Sequence, residues 1–263
     1  MEGYEKEVLE YAGVQGRRSS PATSDLFSVG SSALMGDREL KRFHTIVAKL
    51  LYLGLRTRPT IAVAVSYLAT RVTCANIDDG KKLNRVLMYM RSTPGQSLTL
   101  ACHGPLRVVA SIDAAFGSHD DGKSHTGVVH KIGTATVMSK SCKQKMTAKD
   151  STEAELVALS DKMDGVLRLD EFVRAQGYVD MPPPEIGQDN MSNISLVTKG
   201  GGKPRTEHLR VRQYRVKERV DEGELMITYV ATGSMVADLL TKPLQGALLN
   251  HMTKMLLGKN RSK

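Results

Sequence analysis

The sequence predicts an α/β protein: a mixed sheet flanked by helices, preceded by a small helical segment. Two observations carry this. Apolar residues between Phe43 and Met90 recur at helical spacing, whereas beyond Thr93-Pro94-Gly95 the pattern turns to short strand-like runs. From about residue 106 the order is three strands, a long helix, a strand, helices, a strand and a helix, which is the order of a mixed sheet with helices packed on it.

Residues 1–37 are rich in Gly, Ser, Glu and Arg and show no sustained period, so they read as a linker or truncated edge. Residues 38–95 read as helices. Phe43, Ile46, Val47, Leu50, Leu51 and Leu53 recur at helical spacing, Pro59 opens a second run through Ala69 and Val72, and Asp78-Asp79 starts a third carrying Leu83, Val86, Leu87 and Met90. A boundary is expected near Thr93–Gly95, and residues 96–246 form the sheet-bearing unit. Ser97–Ala101 and Leu106–Asp113 read as strands, then Thr126–Ile132 and Thr134–Ser139 across Gly133. A long helix starts at Ser151 and stops before Gly177. The Pro182–Pro184 run breaks the chain, and a short strand Glu185–Gln188 delivers Asp189. A helix at Met191–Val197, a basic helix from about Glu207 to Asp221, a strand Leu225–Val230 and helical turns around Ser234–Thr241 follow. Residues 247–263 read as a C-terminal helix and a basic tail.

Composition narrows the function classes. Thirty-seven Lys and Arg against 28 Asp and Glu leave +9, which points to a polyanionic partner. No Trp is present and aromatics are scarce, so base stacking is not the main grip. Cys74, Cys102 and Cys142 are widely spaced and odd in number, which argues against a disulfide framework or zinc knuckle and for a reducing compartment. No run of 18 apolar residues occurs, and the N-terminus lacks the pattern of a signal peptide, so no membrane partner is expected.

Four acids are placed to meet. Asp113 ends an apolar strand, Glu155 lies in the first turns of the long helix, Asp189 ends the short strand, and Asp238 sits in Val236-Ala237-Asp238-Leu239-Leu240. Clustered carboxylates offer the hard oxygens that suit Mg²⁺ or Mn²⁺. Taken singly, each also reads as a solvated surface group: Asp189-Asn190 as a helix cap, Ser151 to Glu155 as an acidic helix start. Asp238 fits that reading least, because burial among Val and Leu demands a partner or a metal.

Asp113, then Ser151-Thr152-Glu153-Ala154-Glu155-Leu156, then Gln188-Asp189-Asn190-Met191-Ser192, then Ala237-Asp238-Leu239-Leu240-Thr241-Lys242-Pro243-Leu244 resemble the ribonuclease H domain of copia-type LTR-retrotransposon Pol polyproteins. Lys123-Ser124-His125-Thr126-Gly127 is similar to the family's Lys-Ser-x-x-Gly turn, and Arg205-Thr206-Glu207-His208 to its Arg-Thr-Lys-His segment. The match runs in unbroken order over about 106–246. Phe43–Leu53 and Thr57–Ile61 look like the end of the reverse transcriptase that precedes this domain, while the polymerase's Tyr-x-Asp-Asp motif is missing.

The resemblance implies a ribonuclease H-like fold and a metal-dependent endonuclease that hydrolyses the RNA strand of RNA–DNA hybrids, leaving a 5′-phosphate and a 3′-hydroxyl. It carries Asp113, Glu155, Asp189 and Asp238 over as ligands of two Mg²⁺ or Mn²⁺ ions, with Glu155 preferred to Glu153. It assigns Ala114, Ala115, Ser151, Thr152, Asn190, Arg205, His208 and Arg212 to the nucleic acid; Ser151, Thr152 and Asn190 serve equally as helix caps. Its implied partners are the hybrid and the polymerase domain of the same polyprotein, with no small-molecule cofactor. Its implied location is the cytoplasm or a virus-like particle, with nuclear access open. Departures from the family pattern are Ala115, Asp150 and Glu207; the loop 230–235 has no His, unlike many cellular ribonucleases H but as in copia-type domains generally. His125 reads as a turn residue.

Eight basic residues between Lys199 and Arg219 face only Glu207 and Glu218 along the chain, which reads either as a solvated face or as a phosphate-tracking surface. Three rival functions stand beside the nuclease. They are a catalytically decayed binding remnant supporting a reverse transcriptase, a DDE-type integrase or recombinase, and a purely structural connection segment.

Overall fold

β1 (Val108–Ala115) lies at the centre of the sheet because it is apolar on one side and flanked on both. Val108, Ala110, Ile112 and Ala114 alternate into one core, and Asp113 points the other way. The computed structural model describes residues 1–102, 104–200 and 207–259. β2 (His125–Ile132) and β3 (Ala135–Lys143) continue antiparallel from β1, with Asp113 opposite Gly127. On the other side β4 (Glu185–Gln188) and β5 (Met226–Tyr229) add in parallel, giving the order β3-β2-β1-β4-β5. This is a mixed five-stranded sheet with flanking helices, as the sequence predicts.

Eight helices accompany it among the described residues: α1 (Glu2–Ala12), α2 (Asp37–Arg56), α3 (Ala62–Ala69), α4 (Ile77–Ser92), α5 (Ser151–Ala175), α6 (Met191–Lys199), α7 (Glu207–Asp221) and α8 (Gly246–Leu256). α5 buries Ala154, Leu156, Val157, Leu159, Met163 and Val166 against the apolar side of β1, with Val197 of α6 and Leu209 and Val216 of α7 in the same core. On the opposite side the 3₁₀ turn Val236–Leu240 and α8 pack Val236, Leu239, Leu240, Leu249, Met252 and Leu256 onto Val129. The C-terminal helix thus covers the sheet, burying apolar residues that its 3.6-residue period places on one face.

Three expectations are corrected. Residues 1–37 are not a linker: α1 occupies part of them, and Val8, Ala22, Leu26 and Phe27 lie in the core of the helical segment. Aperiodic coil hides this, since a few apolar residues suffice to dock it. Arg58, fully buried, clamps it further by donating to Glu5 and to the carbonyl of Thr93, each at 2.8 Å. Ser97–Ala101 is not a strand; Thr99 N–H donates instead to the Leu257 carbonyl beyond α8. His125 is not a turn residue but the buried first residue of β2.

The helical segment docks on the sheet unit through Phe27 and Tyr67, which meet His119 and His125, and through Val29 N–H, which donates to Asp120 at 2.8 Å.

Candidate active site

β1 and β4 run parallel with Ser111 opposite Gly187. Two residues further on, Asp113 and Asp189 therefore emerge at the same end of adjacent strands. Crevices at the carboxyl ends of parallel strands are where open sheets bind ligands. The 236–240 turn brings in Asp238. Gly127 makes this approach feasible: a Cβ there would stand 2.8 Å from the Ala237 carbonyl oxygen, Leu240 Cβ and Thr241 Cγ2. Because Gly127 is the cross-strand neighbour of Asp113, the space it leaves lets the turn settle beside that acid.

Asp113, Asp189 and Asp238 each offer a carboxylate oxygen, and these oxygens all lie within 4.8 Å of one another. Asp113 and Asp238 are buried and Asp189 is half-exposed. Three hard anionic oxygens so close repel one another unless a cation or proton joins them, so the donor set fits an oxygen-preferring divalent ion.

Glu155 stands beside this triad. From the second turn of α5 its Oε1 accepts from Ala114 N–H at 3.2 Å and its Oε2 from the Gln188 amide at 3.4 Å. Asn193 in turn donates to Gln188 Oε1 at 2.6 Å and fixes that amide. Burial, then the Asp113 charge, holds the Glu155 carboxyl well above the usual carboxylate range, against the pull of Ala114 N–H. Glu153 faces away, accepting from Lys149 N–H at 3.0 Å.

Burial also pushes Asp238 up, to about 6, with the Asp113 charge adding and Lys242 opposing. Lys242 Nζ lies 2.7 Å from Asp238 Oδ1 and 3.5 Å from Asp113 Oδ2. The Thr241 hydroxyl donates to Asp113 and the Thr232 hydroxyl to Asp189, the latter at 3.0 Å. Sequence reading assigned no role to Gln188, Thr232, Thr241, Lys242 or Gly127. The i to i+4 spacing of Asp238 and Lys242 is the one signal that pointed to a partner.

The residues expected at the nucleic acid are scattered in status. Ala114 is buried and donates its N–H to Glu155; Ala115 is half-buried beside it. Ser151 and Thr152 open α5 but do not cap it: Asp150 does, accepting from Glu153 N–H at 2.9 Å. Asn190 caps α6, accepting from Asn193 N–H at 2.9 Å. His208 is exposed on α7, and Arg205 lies outside the described residues. Arg212 is ion-paired with Asp161 of α5. The same holds along α7: Arg215 pairs with Asp164 at 2.6 Å, Lys217 with Asp221 at 2.8 Å and Arg219 with Glu224 at 2.8 Å. The described part of the basic run is thus largely neutralised by acids from α5 and from α7's own end, which sequence spacing did not show.

No family model matches the chain. Among curated proteins it is similar to the retrovirus-related Pol polyprotein from transposon RE2 of Arabidopsis thaliana, 28% identical over 234 residues, 89% of this chain and 16% of that protein. It is also similar to that from transposon TNT 1-94 of Nicotiana tabacum, 28% identical over 201 residues, 76% of this chain and 15% of that protein. A Ty1 Gag-Pol polyprotein of Saccharomyces cerevisiae is 24% identical over 200 residues. The relatives are retrotransposon polyproteins, as the motifs implied, and the chain spans about a sixth of the length of the first of them. Among solved structures, RNase H1 of Halobacterium salinarum matches 51% of this chain and 93% of its own at 22% identity and a TM-score of 0.36. A foamy viral protease-reverse transcriptase in complex with RNA/DNA hybrid matches 85% of this chain and 28% of its own at 11% identity and a TM-score of 0.48.

Proposed function

We propose that this chain is the ribonuclease H portion of a retrotransposon Pol polyprotein, a metal-dependent endonuclease that cuts the RNA strand of RNA–DNA hybrids. The observation that carries the reading is the convergence of Asp113, Asp189 and Asp238 at one sheet end with Glu155 beside them. The retrotransposon relatives support the polyprotein context.

Asp113 and Asp189 would hold two Mg²⁺ or Mn²⁺ ions most directly, with Glu155 completing one site and Asp238 the other. Bound there, such ions supply Lewis-acid activation of water and neutralise charge at a phosphodiester. The chain's own groups prepare the place. Ala114 N–H and the Gln188 amide fix the Glu155 carboxyl so that it can orient a water. Thr241 and Thr232 each donate to one oxygen of Asp113 and Asp189 and so fix the orientation of those carboxylates. In the hydrolysis the water oxygen bonds to phosphorus as the bond to the 3′-oxygen breaks, and the proton lost by water balances the one gained by that oxygen. Products are a 5′-phosphate and a 3′-hydroxyl.

RNA is told from DNA at its 2′-hydroxyl. Ser151 and Thr152, released from capping by Asp150, are free to serve there with the backbone at Ala114–Ala115, and His208 lies on the exposed side of α7. The polymerase region of the same polyprotein is the proposed protein partner. The test is a comparison of labelled RNA–DNA hybrid, single-stranded RNA, duplex RNA and duplex DNA with Mg²⁺ or Mn²⁺. Cleavage confined to the RNA strand of the hybrid is expected. Hybrid binding without cleavage by the folded chain would favour the decayed remnant instead.

A further inference from the structure

A chain of three hydrogen bonds of fixed direction runs from the turn that carries Asp238 to His119, on which rings of the N-terminal helical segment pack. Ser141 Oγ donates to the Leu240 carbonyl at 2.7 Å. A serine hydroxyl has one hydrogen, so toward His125 Nε2, 2.7 Å away, it acts as the acceptor. His125 Nε2 therefore carries a hydrogen. In the neutral ring Nδ1 is then bare and accepts from His119 Nε2–H at 2.9 Å. Both rings are buried, and burial pushes His119 down to about 4 and His125 to about 3, so both are neutral near pH 7.

At its far end the chain meets the helical segment through ring contacts. The Phe27 ring lies 4.8 Å from that of His119 and 5.2 Å from that of His125, and Tyr67 stacks on His119 at 6.1 Å. The near end is the carbonyl two residues after Asp238. Packing of Leu239 and Leu240 on Val129 and α8 keeps the turn on the sheet. The hydrogen bond at Leu240 adds direction to that contact, which apolar packing does not supply.

We propose that His125 and Ser141 are positioning residues for Asp238, and that through them the docked helical segment sets the place of the fourth acid in the site. This rests on reading the acids as a divalent-cation site. Outer partners that orient ligands typically change metal affinity about 10–100-fold when removed.

The test uses the full chain and the variants Ser141→Ala, Ser141→Thr and His125→Phe, the last keeping a ring against Phe27 while removing both nitrogens. In the wild type, ¹⁵N spectra are expected to show His119 and His125 as Nε2–H tautomers; an Nδ1–H tautomer at His125 overturns the chain. Without metal, amide exchange at Asp238, Thr241 and Lys242 is expected to quicken at least about tenfold in Ser141→Ala and His125→Phe and to recover in Ser141→Thr. Mn²⁺ affinity, by calorimetry, is expected to fall about 10–100-fold and recover in the same pattern. Unchanged exchange and affinity in Ser141→Ala overturn the proposal while leaving the metal reading intact. A wild type that binds no Mn²⁺ overturns the metal reading, and amide exchange still decides whether the chain positions the turn.

Discussion

The Lys242 ammonium lies 2.7 Å from the Asp238 carboxylate and 3.5 Å from that of Asp113, so the acid cluster is partly neutralised by a cation of the chain's own. Burial works against that charge, yet Asp113 and Asp238 together hold the Lys242 pKa above its ordinary value. The arrangement reconciles three close carboxylates with a stable fold. It also means that an incoming divalent ion competes with Lys242 for the same oxygens.

Lys242→Met should accordingly destabilise the metal-free chain by about 1–3 kcal/mol. That is less than a fully buried pair would lose, since the side chain is 38% exposed. In millimolar Mg²⁺ the gap should narrow, because ion binding to the native state restores the missing charge. Urea denaturation with and without Mg²⁺ checks both parts; a gap that is independent of Mg²⁺ would contradict the account.

Gly127→Ala should cost about 1–3 kcal/mol and displace the turn bearing Asp238, because its Cβ would meet the Ala237 carbonyl and Leu240 Cβ at 2.8 Å. Loss of hybrid cleavage should exceed what the stability loss explains. The comparison is activity measured well below the variant's melting temperature.

Acid should weaken the fold through His125. Its folded pKa of about 3 lies below the unfolded value of ~6.5, so the unfolded chain takes the proton first and stability falls as pH drops through that window. The raised carboxyls of Glu155 and Asp238 act in the opposite sense, gaining stability as pH falls. The wild-type advantage over His125→Phe isolates the histidine and should shrink by about 2 kcal/mol between pH 7 and 5. Parallel denaturation curves at the two pH values measure it.

Arg58→Ala should cost about 3–5 kcal/mol, because it empties a fully buried site, leaves the half-buried Glu5 without its partner and removes two bonds to Thr93. Limited proteolysis should then open α1 before the sheet. Glu5→Gln, which keeps an acceptor for the guanidinium, should cost less.

The order of elements along the chain and the acids were legible because each leaves a local mark: strand alternation around Val108–Asp113, the helical period kept through the 25 residues of α5, the short apolar strand before Asp189 and an acid set among leucines at Asp238. What escaped depends on distant partners. Phe27 lies in aperiodic coil and shows its role only where it meets His119 and His125. Arg212 and Arg215 look like free cations until α5 brings Asp161 and Asp164, 51 residues earlier, alongside them. Asp150 rather than Ser151 caps α5 because the helix already begins at Ser151, one residue earlier than a Ser151 cap would allow.

The central claim is that the converging carboxylates make one metal-dependent nuclease site. The most direct test measures RNA–DNA hybrid cleavage in Mg²⁺ by the wild type and Asp189→Asn side by side. The account predicts RNA-strand cutting by the wild type, and in the variant a loss exceeding the ~10–100-fold typical of removing an outer partner, with the fold intact. Equal cutting by the two proteins would contradict it.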